Sequence, residues 1–368
     1  MSGPERTFIF AGGGTGGHIF PALAIAEQLR ARAACRCVFL CSDRPLDAKI
    51  LGREGVEFRI TPAKPVGLRP RALYRFLRSW GRSVRAVRAL IRECRAGGGR
   101  VDVVAMGGFV AAPAAMAARR ERATLTLVNM DVVPGKANRW IAGRADRIVT
   151  SAPVPGSEWQ SVPPIVRSAA RARQDAAACR VALGLDPATA TLLVTGASQG
   201  ARSINDLMLG LVRDHAAALK GWQIVHQTGA DEDERVRRAY EVAGIRAEVR
   251  PFFEGMGAAW GAADLAVSRA GAGSVAEAWA NLVPTVFLPY PYHKDEHQRH
   301  NARPLAEAGA AIIVKDRIDA GENLREAGAT IRDLLERGDR RDAMRAACRG
   351  LGPVDGAERI AAMLISGS

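Results

Sequence analysis

Short apolar runs alternate along this chain with stretches of helical periodicity. Thr7–Ala11, Arg36–Cys41, Glu57–Ile60, Asp102–Ala105, Thr124–Val128 and Arg147–Thr150 predict strands in the first half. His18–Arg32 predicts a helix with Pro21 tolerated in its first turn. Pro153, Pro155, Pro163 and Pro164 then interrupt the pattern, as an interdomain linker does. The scheme restarts with strands predicted at Thr191–Thr195, Gln223–Gln227, Ala247–Arg250, Leu265–Ser268, Thr285–Leu288 and Ala311–Val314, and a final helix at Ala357–Ile365. Apolar runs separated by helices imply parallel sheets covered on both faces. The predicted fold class is α/β, with two Rossmann-like doubly wound domains. Their expected bounds are 1–152, a linker 153–175, and 176–345. A terminal helical segment, 346–368, is free to pack back on the N-terminal domain.

Three glycine-rich loops sit between a strand and a helix in this pattern: Gly12–His18, Gly196–Gly200 and Gly271–Ser274. Such loops aim backbone N–H groups and a helix N-terminus at an anion. Their division between the two halves predicts a central cleft that grips a diphosphate.

One helix is unusual. Leu73, Leu77, Trp80, Val84, Val87, Ile91 and Cys94 recur at spacings of four and three, a single helical stripe. Arg71, Arg75, Arg78, Arg82, Arg85 and Arg92 keep the same rhythm offset by two residues, which places them on the opposite face. Lys64–Arg100 holds eleven basic residues and one acid, so most of the net charge of +14 belongs to this stretch. Two readings compete: a solvated charged face, or docking of helix 71–95 on an anionic membrane. Nucleic acid is not expected, since no nucleic-acid motif accompanies the charge. No apolar run approaches the roughly 18 residues that span a bilayer, and the N-terminus does not read as a signal peptide. A cytoplasmic protein is expected. The six cysteines contain no CxxC pair and read as buried thiols.

Individual motifs leave alternatives open. Gly12, Gly14 and Gly17 satisfy G-x-G-x-x-G with Asp43 as a late acidic partner, so a dinucleotide site competes there. His18, at the helix entrance, is either a general base or a helix-start residue bonded to backbone. Ser274 and Glu277 form a capping-box pattern, whereas a functional Glu277 would accept both hydroxyls of a ribose. His293, His297 and His300 follow Pro289–Tyr292, and a polar ligand loop is favoured over a metal site. Asp231 and Asp233 read as acids complementing a helix N-terminus.

Several segments together resemble one family. Gly13–Ala24, Met106–Val110, Gly196–Arg202, Ser268–Glu277 and His293–Gln298 with Asn301-Ala302 are similar, in order and spacing, to the MurG family of peptidoglycan N-acetylglucosaminyltransferases within glycosyltransferase family 28. The resemblance implies the two-domain GT-B fold and inverting, metal-independent transfer of N-acetylglucosamine from UDP-N-acetylglucosamine to the 4-hydroxyl of lipid I, giving lipid II. No cofactor is implied. His18 and Asp131 are the implied base candidates. Thr15, Gly16, Gly17 and Asn129 fall on the acceptor side. Ser198 and Gln199 would lie by the diphosphate, Arg167 would meet the phosphates, and Phe253 would approach the uracil. Glu277 would hold the ribose, and His297 and Gln298 the sugar. The implied location is peripheral, on the cytoplasmic face of the plasma membrane. Two features depart from the family pattern: Val128-Asn129-Met130-Asp131 replaces a His-Glu-Gln-Asn-like loop, and Phe109 stands where tyrosine is common. Rival expectations are a transferase with another lipid or natural-product acceptor, a sugar-nucleotide epimerase, or a catalytically degenerate paralogue.

Overall fold

A computed structural model describes residues 6–13, 16–66, 70–96, 98–197, 200–292 and 296–367. The chain divides into two compact units, Met1–Arg167 with Asp355–Ser368, and Ser168–Val354.

The first unit runs β1 (Arg6–Gly12), α1 (Gly16–Arg32), β2 (Cys35–Cys41), α2 (Pro45–Arg53), β3 (Phe58–Ile60), α3 (Pro70–Arg95), β4 (Val101–Gly107), α4 (Gly108–Arg120), β5 (Thr124–Asn129), α5 (Lys136–Ala142), β6 (Arg147–Thr150) and β7 (Gln160–Ser161). Its seven strands are all parallel, in the order β3-β2-β1-β4-β5-β6-β7. Alternation along each strand splits the core between two faces. Ile9, Val38, Val103, Leu125 and Leu127 pack with Val84, Val87 and Ile91 of α3 and with Ala114 and Ala118 of α4. Phe10 stacks on Phe39 with ring centroids 5.3 Å apart.

The second unit runs α6 (Ala176–Ala182), β8 (Ala190–Thr195), α7 (Arg202–His215), β9 (Trp222–Gln227), α8 (Asp233–Val242), β10 (Ala247–Arg250), α9 (Met256–Ala262), β11 (Leu265–Ser268), α10 (Ala272–Ala280), β12 (Thr285–Phe287), α11 (His297–Glu307), β13 (Ala311–Ile313), α12 (Ala320–Glu336) and α13 (Gly338–Gly350). Its strands are parallel in the order β10-β9-β8-β11-β12-β13. Leu207, Leu211, Tyr240, Ile331 and Leu334 cover one face, and Trp260, Ala278 and Leu305 the other. The chain then returns to the first unit as α14 (Gly356–Ser366). There Arg32 Nη1 donates to Glu358 O (2.7 Å), Arg6 Nη1 to Ile365 O (2.7 Å) and Arg147 Nη1 to Met363 O (2.8 Å).

The structure revises four expectations. The stretch 153–175 is divided: its first part stays with the first unit, where β7 extends the sheet, and residues from Ser168 go with the second. Residues 346–354 also stay with the second unit, because Cys348 is buried in its core. Along α3 the apolar stripe is buried only at Val84, Val87, Leu90, Ile91 and Cys94. Leu77 is 62% exposed and Tyr74 61%, while the Leu73 side chain lies outside the described residues. The core beneath the stripe ends at Trp80, whose ring meets Trp140 edge-on at 5.8 Å. Pro21 falls in the second turn of α1, since that helix starts at Gly16.

Candidate functional site

In each sheet the strand order reverses beside the first strand, between β1 and β4 and between β8 and β11. Loops leaving neighbouring strands in opposite directions open a crevice at the carboxyl ends, where α/β sheets bind ligands.

In the first unit that crevice is built around His18, the third residue of α1. The β4–α4 turn passes flush against its ring. Gly107 has φ 108° and Gly108 φ 75°, values that disfavour any side chain. A Cβ on Gly107 would lie 3.0 Å from both His18 Nε2 and Asn138 Oδ1; on Gly108 it would lie 2.9 Å from Gly13 O. Glycine is therefore required by the imidazole as well as by the backbone. Among the described residues His18 Nδ1 is buried with no hydrogen-bond partner. Burial pushes the His18 pKa below its usual value, and the charges of Asp131 and Asp47 partly oppose that shift. The result is an imidazole held toward its neutral form at the switch point of the first sheet.

The Asp47 carboxylate and the Asp131 backbone are held in place. Asp47 Oδ2 accepts from Ser42 Oγ (2.6 Å) and Ser42 N (3.1 Å). The Asp131 carbonyl accepts from Asn129 Nδ2 (2.7 Å). Asn129 was expected to touch substrate, but it is fully buried. Its Nδ2 also donates to Thr150 Oγ1 (3.0 Å), and its Oδ1 accepts from Asn138 Nδ2 (3.0 Å). The side chain is spent on holding the Asp131 loop. Gly16 and Gly17 open α1, and Thr15 lies outside the described residues. The Arg44 guanidinium stands 5.6 Å over the Phe109 ring.

Arg167 was expected to meet phosphates. Its guanidinium is instead shared between Glu54, bonded twice (2.8 and 2.7 Å), and Glu27 (3.2 and 3.1 Å), all in the first unit. Two carboxylates already balance that charge, so the arginine ties the end of the unit to α1 and α2.

In the second unit the first glycine loop is packed against the end of β9. Gly200 has φ 73°, and a Cβ there would come 2.2 Å from Thr228 O. Gln227 fastens this loop: Nε2 donates to Ala197 O (2.8 Å), and Oε1 accepts from Phe253 N (3.1 Å). The Phe253 ring, expected near a base, is buried in the core. Ser198 and Gln199 lie outside the described residues, as do His293, Lys294 and Asp295.

The capping box expected at Ser274 and Glu277 is absent. Helix α10 starts at Ala272 with Gly271 as its N-cap and no side-chain cap, so Ser274 lies one turn too far in. Glu277 Oε2 accepts from the indole of fully buried Trp260 (2.8 Å). His297 begins α11, after Glu296 at φ 45°. Gln298 Oε1 accepts from Tyr290 N (2.9 Å) and shapes the loop after β12. Asp233 and Glu234 occupy the first turn of α8, as dipole complementation requires.

Sequence reasoning did not assign Asp47, Gln227, Trp260, Arg269 or Asp316. Arg269 carried a usable signal: a lone arginine directly after an apolar strand that opens a glycine loop. Gln227, Trp260 and Asp316 pair across distances in sequence that no local pattern reveals, whereas Asp47 bonds Ser42 five residues away.

Two doubly wound units of this topology, each with glycine-rich loops at its switch point, define the GT-B class of glycosyltransferase folds. The chain belongs to glycosyltransferase family 28: residues 8–150 match the family's N-terminal domain and residues 191–360 its C-terminal domain. A curated relative from Xylella fastidiosa is 36% identical over 363 residues, 99% of this chain and 96% of its own. Another, from Frankia casuarinae, is 35% identical over 98% of this chain and 95% of its own. Both are named UDP-N-acetylglucosamine–N-acetylmuramyl-(pentapeptide) pyrophosphoryl-undecaprenol N-acetylglucosamine transferase. In fold, the crystal structure of Acinetobacter baumannii MurG matches with a TM-score of 0.72 at 24% identity, over 99% of this chain and all of that one.

Proposed function

We propose that this enzyme transfers N-acetylglucosamine from UDP-N-acetylglucosamine to the 4-hydroxyl of an undecaprenyl-diphosphate-linked muramyl acceptor, converting lipid I to lipid II. Similarity over 99% of the chain to curated transferases of that name supports the substrates. The observation that carries the chemistry is the largely buried His18 at the switch point of the first sheet, its pKa lowered by that burial.

In this reading the acceptor hydroxyl gives its proton to His18 as its oxygen bonds to the anomeric carbon. The bond from that carbon to the diphosphate oxygen breaks, inverting the centre, and UDP carries away the negative charge. Backbone amides of the Gly196–Gly200 loop and the start of α7 meet that charge, as an oxyanion hole would. Ser198 and Gln199 are assigned to this loop by motif. Glu277, oriented by Trp260, accepts the ribose hydroxyls, and His297 and Gln298 border the sugar. Arg167 is left out, because Glu27 and Glu54 hold it. Asp131 acts on His18 through its charge.

The N-terminal half of α3 is the proposed membrane contact, on the cytoplasmic face. Arg71, Arg75, Arg78, Arg82 and Arg85 are exposed, and among the described residues none pairs with a carboxylate. Further along the helix, Arg88 and Arg92 share the single carboxylate of Glu121. Tyr74, Leu77 and Val66 add exposed apolar surface beside the unpaired arginines. No helix among the described residues is long and apolar enough to cross a membrane.

The test is UDP release from UDP-N-acetylglucosamine with and without a lipid I analogue, in EDTA. Release that depends on lipid I supports the reading. UDP binding without such release points to another acceptor, on the side where Val128–Asp131 departs from the family.

A further inference from the structure

Directly beneath the loops of the second unit lies a buried ion pair that the mechanism does not use. Arg269 is the first residue after β11 and is 7% exposed; Asp316 follows β13 and is 1% exposed. Arg269 Nη1 donates to Asp316 Oδ2 (2.5 Å) and to Leu288 O (2.8 Å), and Nη2 donates to Ser203 Oγ (2.8 Å). Ser203 Oγ donates in turn to Asp316 Oδ2 (2.6 Å). The other carboxylate oxygen, Oδ1, accepts from Asn323 Nδ2 (2.8 Å) and Ile318 N (2.8 Å). The Arg269 backbone N–H reaches Thr195 O (3.2 Å), and its guanidinium stands 5.7 Å from the Tyr290 ring.

Each partner marks a different loop. Thr195 ends β8 and opens the Gly196–Gly200 loop, and Ser203 is in the first turn of α7, which closes it. Arg269 itself leads into Gly271 and α10, the helix of Glu277. Leu288 and Tyr290 belong to the loop after β12 that Gln298 shapes. The Arg269 guanidinium is therefore bonded to the start of α7, to the loop after β12 and to the segment after β13, while its backbone bonds the end of β8 and runs on into α10.

Energetics argue against a role in stability alone. A buried ion pair gains little over an apolar pair of the same volume, because both ions lose their hydration. What it adds is direction: a planar guanidinium with fixed donors sets the angles among its acceptors. Hydrogen bonds from Ser203, Asn323 and Ile318, with the Arg269 charge, hold Asp316 ionised against its burial.

We propose that the Arg269–Asp316 pair, with Ser203, is the positioning device that sets the spacing of the donor-binding loops. The inference rests on the reading of the second unit as the UDP-sugar site. Displacement of loops by about 1 Å is enough to cost 10²-fold in such sites.

The experiment compares the full-length wild type with Arg269→Lys, Asp316→Asn and Ser203→Ala. It reads UDP affinity by calorimetry, KM for UDP-N-acetylglucosamine, KM for a lipid I analogue, kcat, and thermal midpoint. Arg269→Lys keeps the charge but loses the fork, and is expected to weaken UDP binding and raise the donor KM by about 10²-fold. Acceptor KM should not move. Ser203→Ala, which leaves the ion pair standing, should give a rise of about tenfold, and it remains informative if the other two variants do not fold. Unchanged UDP affinity and donor KM in Ser203→Ala and in the folded ion-pair variants, with only a lower thermal midpoint, overturns the proposal and leaves a structural pair. Failure of the wild type to bind UDP overturns the donor-site reading as well, so the two failures are distinguishable.

Discussion

Replacing Asp131 by asparagine separates the two candidate bases by the direction of a pH shift. Burial lowers the His18 pKa, and the Asp131 and Asp47 charges raise it part of the way back. If His18 is the base, removing the Asp131 charge lowers its proton affinity further. The acid limb of kcat/KM, which reports the free enzyme, then moves to lower pH while the plateau stays within a few-fold. If Asp131 takes the proton itself, the plateau collapses by about 10²–10⁴-fold, the usual worth of a general base. That is roughly 3–5 kcal/mol of barrier at 1.36 kcal/mol per tenfold. His18→Gln carries the same collapse in the first case and spares turnover in the second. The assay is continuous UDP release at subsaturating acceptor, from about pH 5 to 9 around the unperturbed histidine value. The reasoning is refuted if Asp131→Asn loses the plateau and His18→Gln keeps it. It also fails if the acid limb of Asp131→Asn moves upward, because the sign of the Asp131 charge permits only a downward move.

Four further outcomes are expected. Trp260→Phe removes the bond to Glu277 and should raise the donor KM about tenfold, since a hydrogen bond to a charged group is worth about 1.5–3 kcal/mol; an unchanged donor KM would detach Glu277 from the ribose. Arg167→Met should lower stability by about 2–3 kcal/mol, read from urea midpoints, because it strands Glu27 and Glu54 together, while donor KM holds; the opposite pattern restores Arg167 to the phosphates. His226 is fully buried between Tyr240 and Asn205, and burial lowers its pKa from 6.5 to about 3. Its unfolded form alone takes a proton as pH falls below 6.5, so stability should drop by about 1.4 kcal/mol per pH unit there, and urea midpoints of His226→Gln should show a flatter slope. Changing Arg71, Arg75 and Arg78 together to glutamine should weaken binding to anionic vesicles by about 10²-fold, at roughly 1 kcal/mol each; equal sedimentation of variant and wild type would leave α3 a solvated face.

Much of the fold was legible because a buried parallel strand must be a continuous apolar run. Arg147–Thr150, Ala247–Arg250 and Leu265–Ser268 were read to the residue, and the other strands ended within two residues of their predicted bounds. Neither β7 nor the division at Arg167 was legible. A two-residue strand has no periodicity to detect, and the linker's membership depends on an arginine finding two glutamates more than a hundred residues away. The stripe on α3 was legible as amphipathic but not as interrupted, since Leu77 and Val84 look alike until the core beneath them is seen to end. At the site, His18 announced itself by its position after a glycine loop. Asn129 misled for the complementary reason: an amide beside an acid suits a ligand or a buried network equally well. Only burial separates the two, and Asn129 is fully buried with three bonds to its neighbours.

The two crevices share a topology but divide the chemistry in a way their electrostatics explain. The first places a titratable group where burial outweighs the charges of Asp131 and Asp47, so the imidazole's proton affinity is lowered. The second, apart from the Glu277 carboxylate on α10, keeps Arg269 and Asp316 as a pair that balances internally and lies under the loops rather than in them. An unpaired arginine in that position would add a fixed attraction for the diphosphate before and after transfer alike, and uniform binding of that kind does not raise turnover. Amides at a helix start present only partial charge, and glycine lets them approach closely enough for it to matter as UDP leaves. A rigid, internally neutral ion pair beneath such amides fixes their direction without adding to the net charge, which is what a site that must release its nucleotide requires.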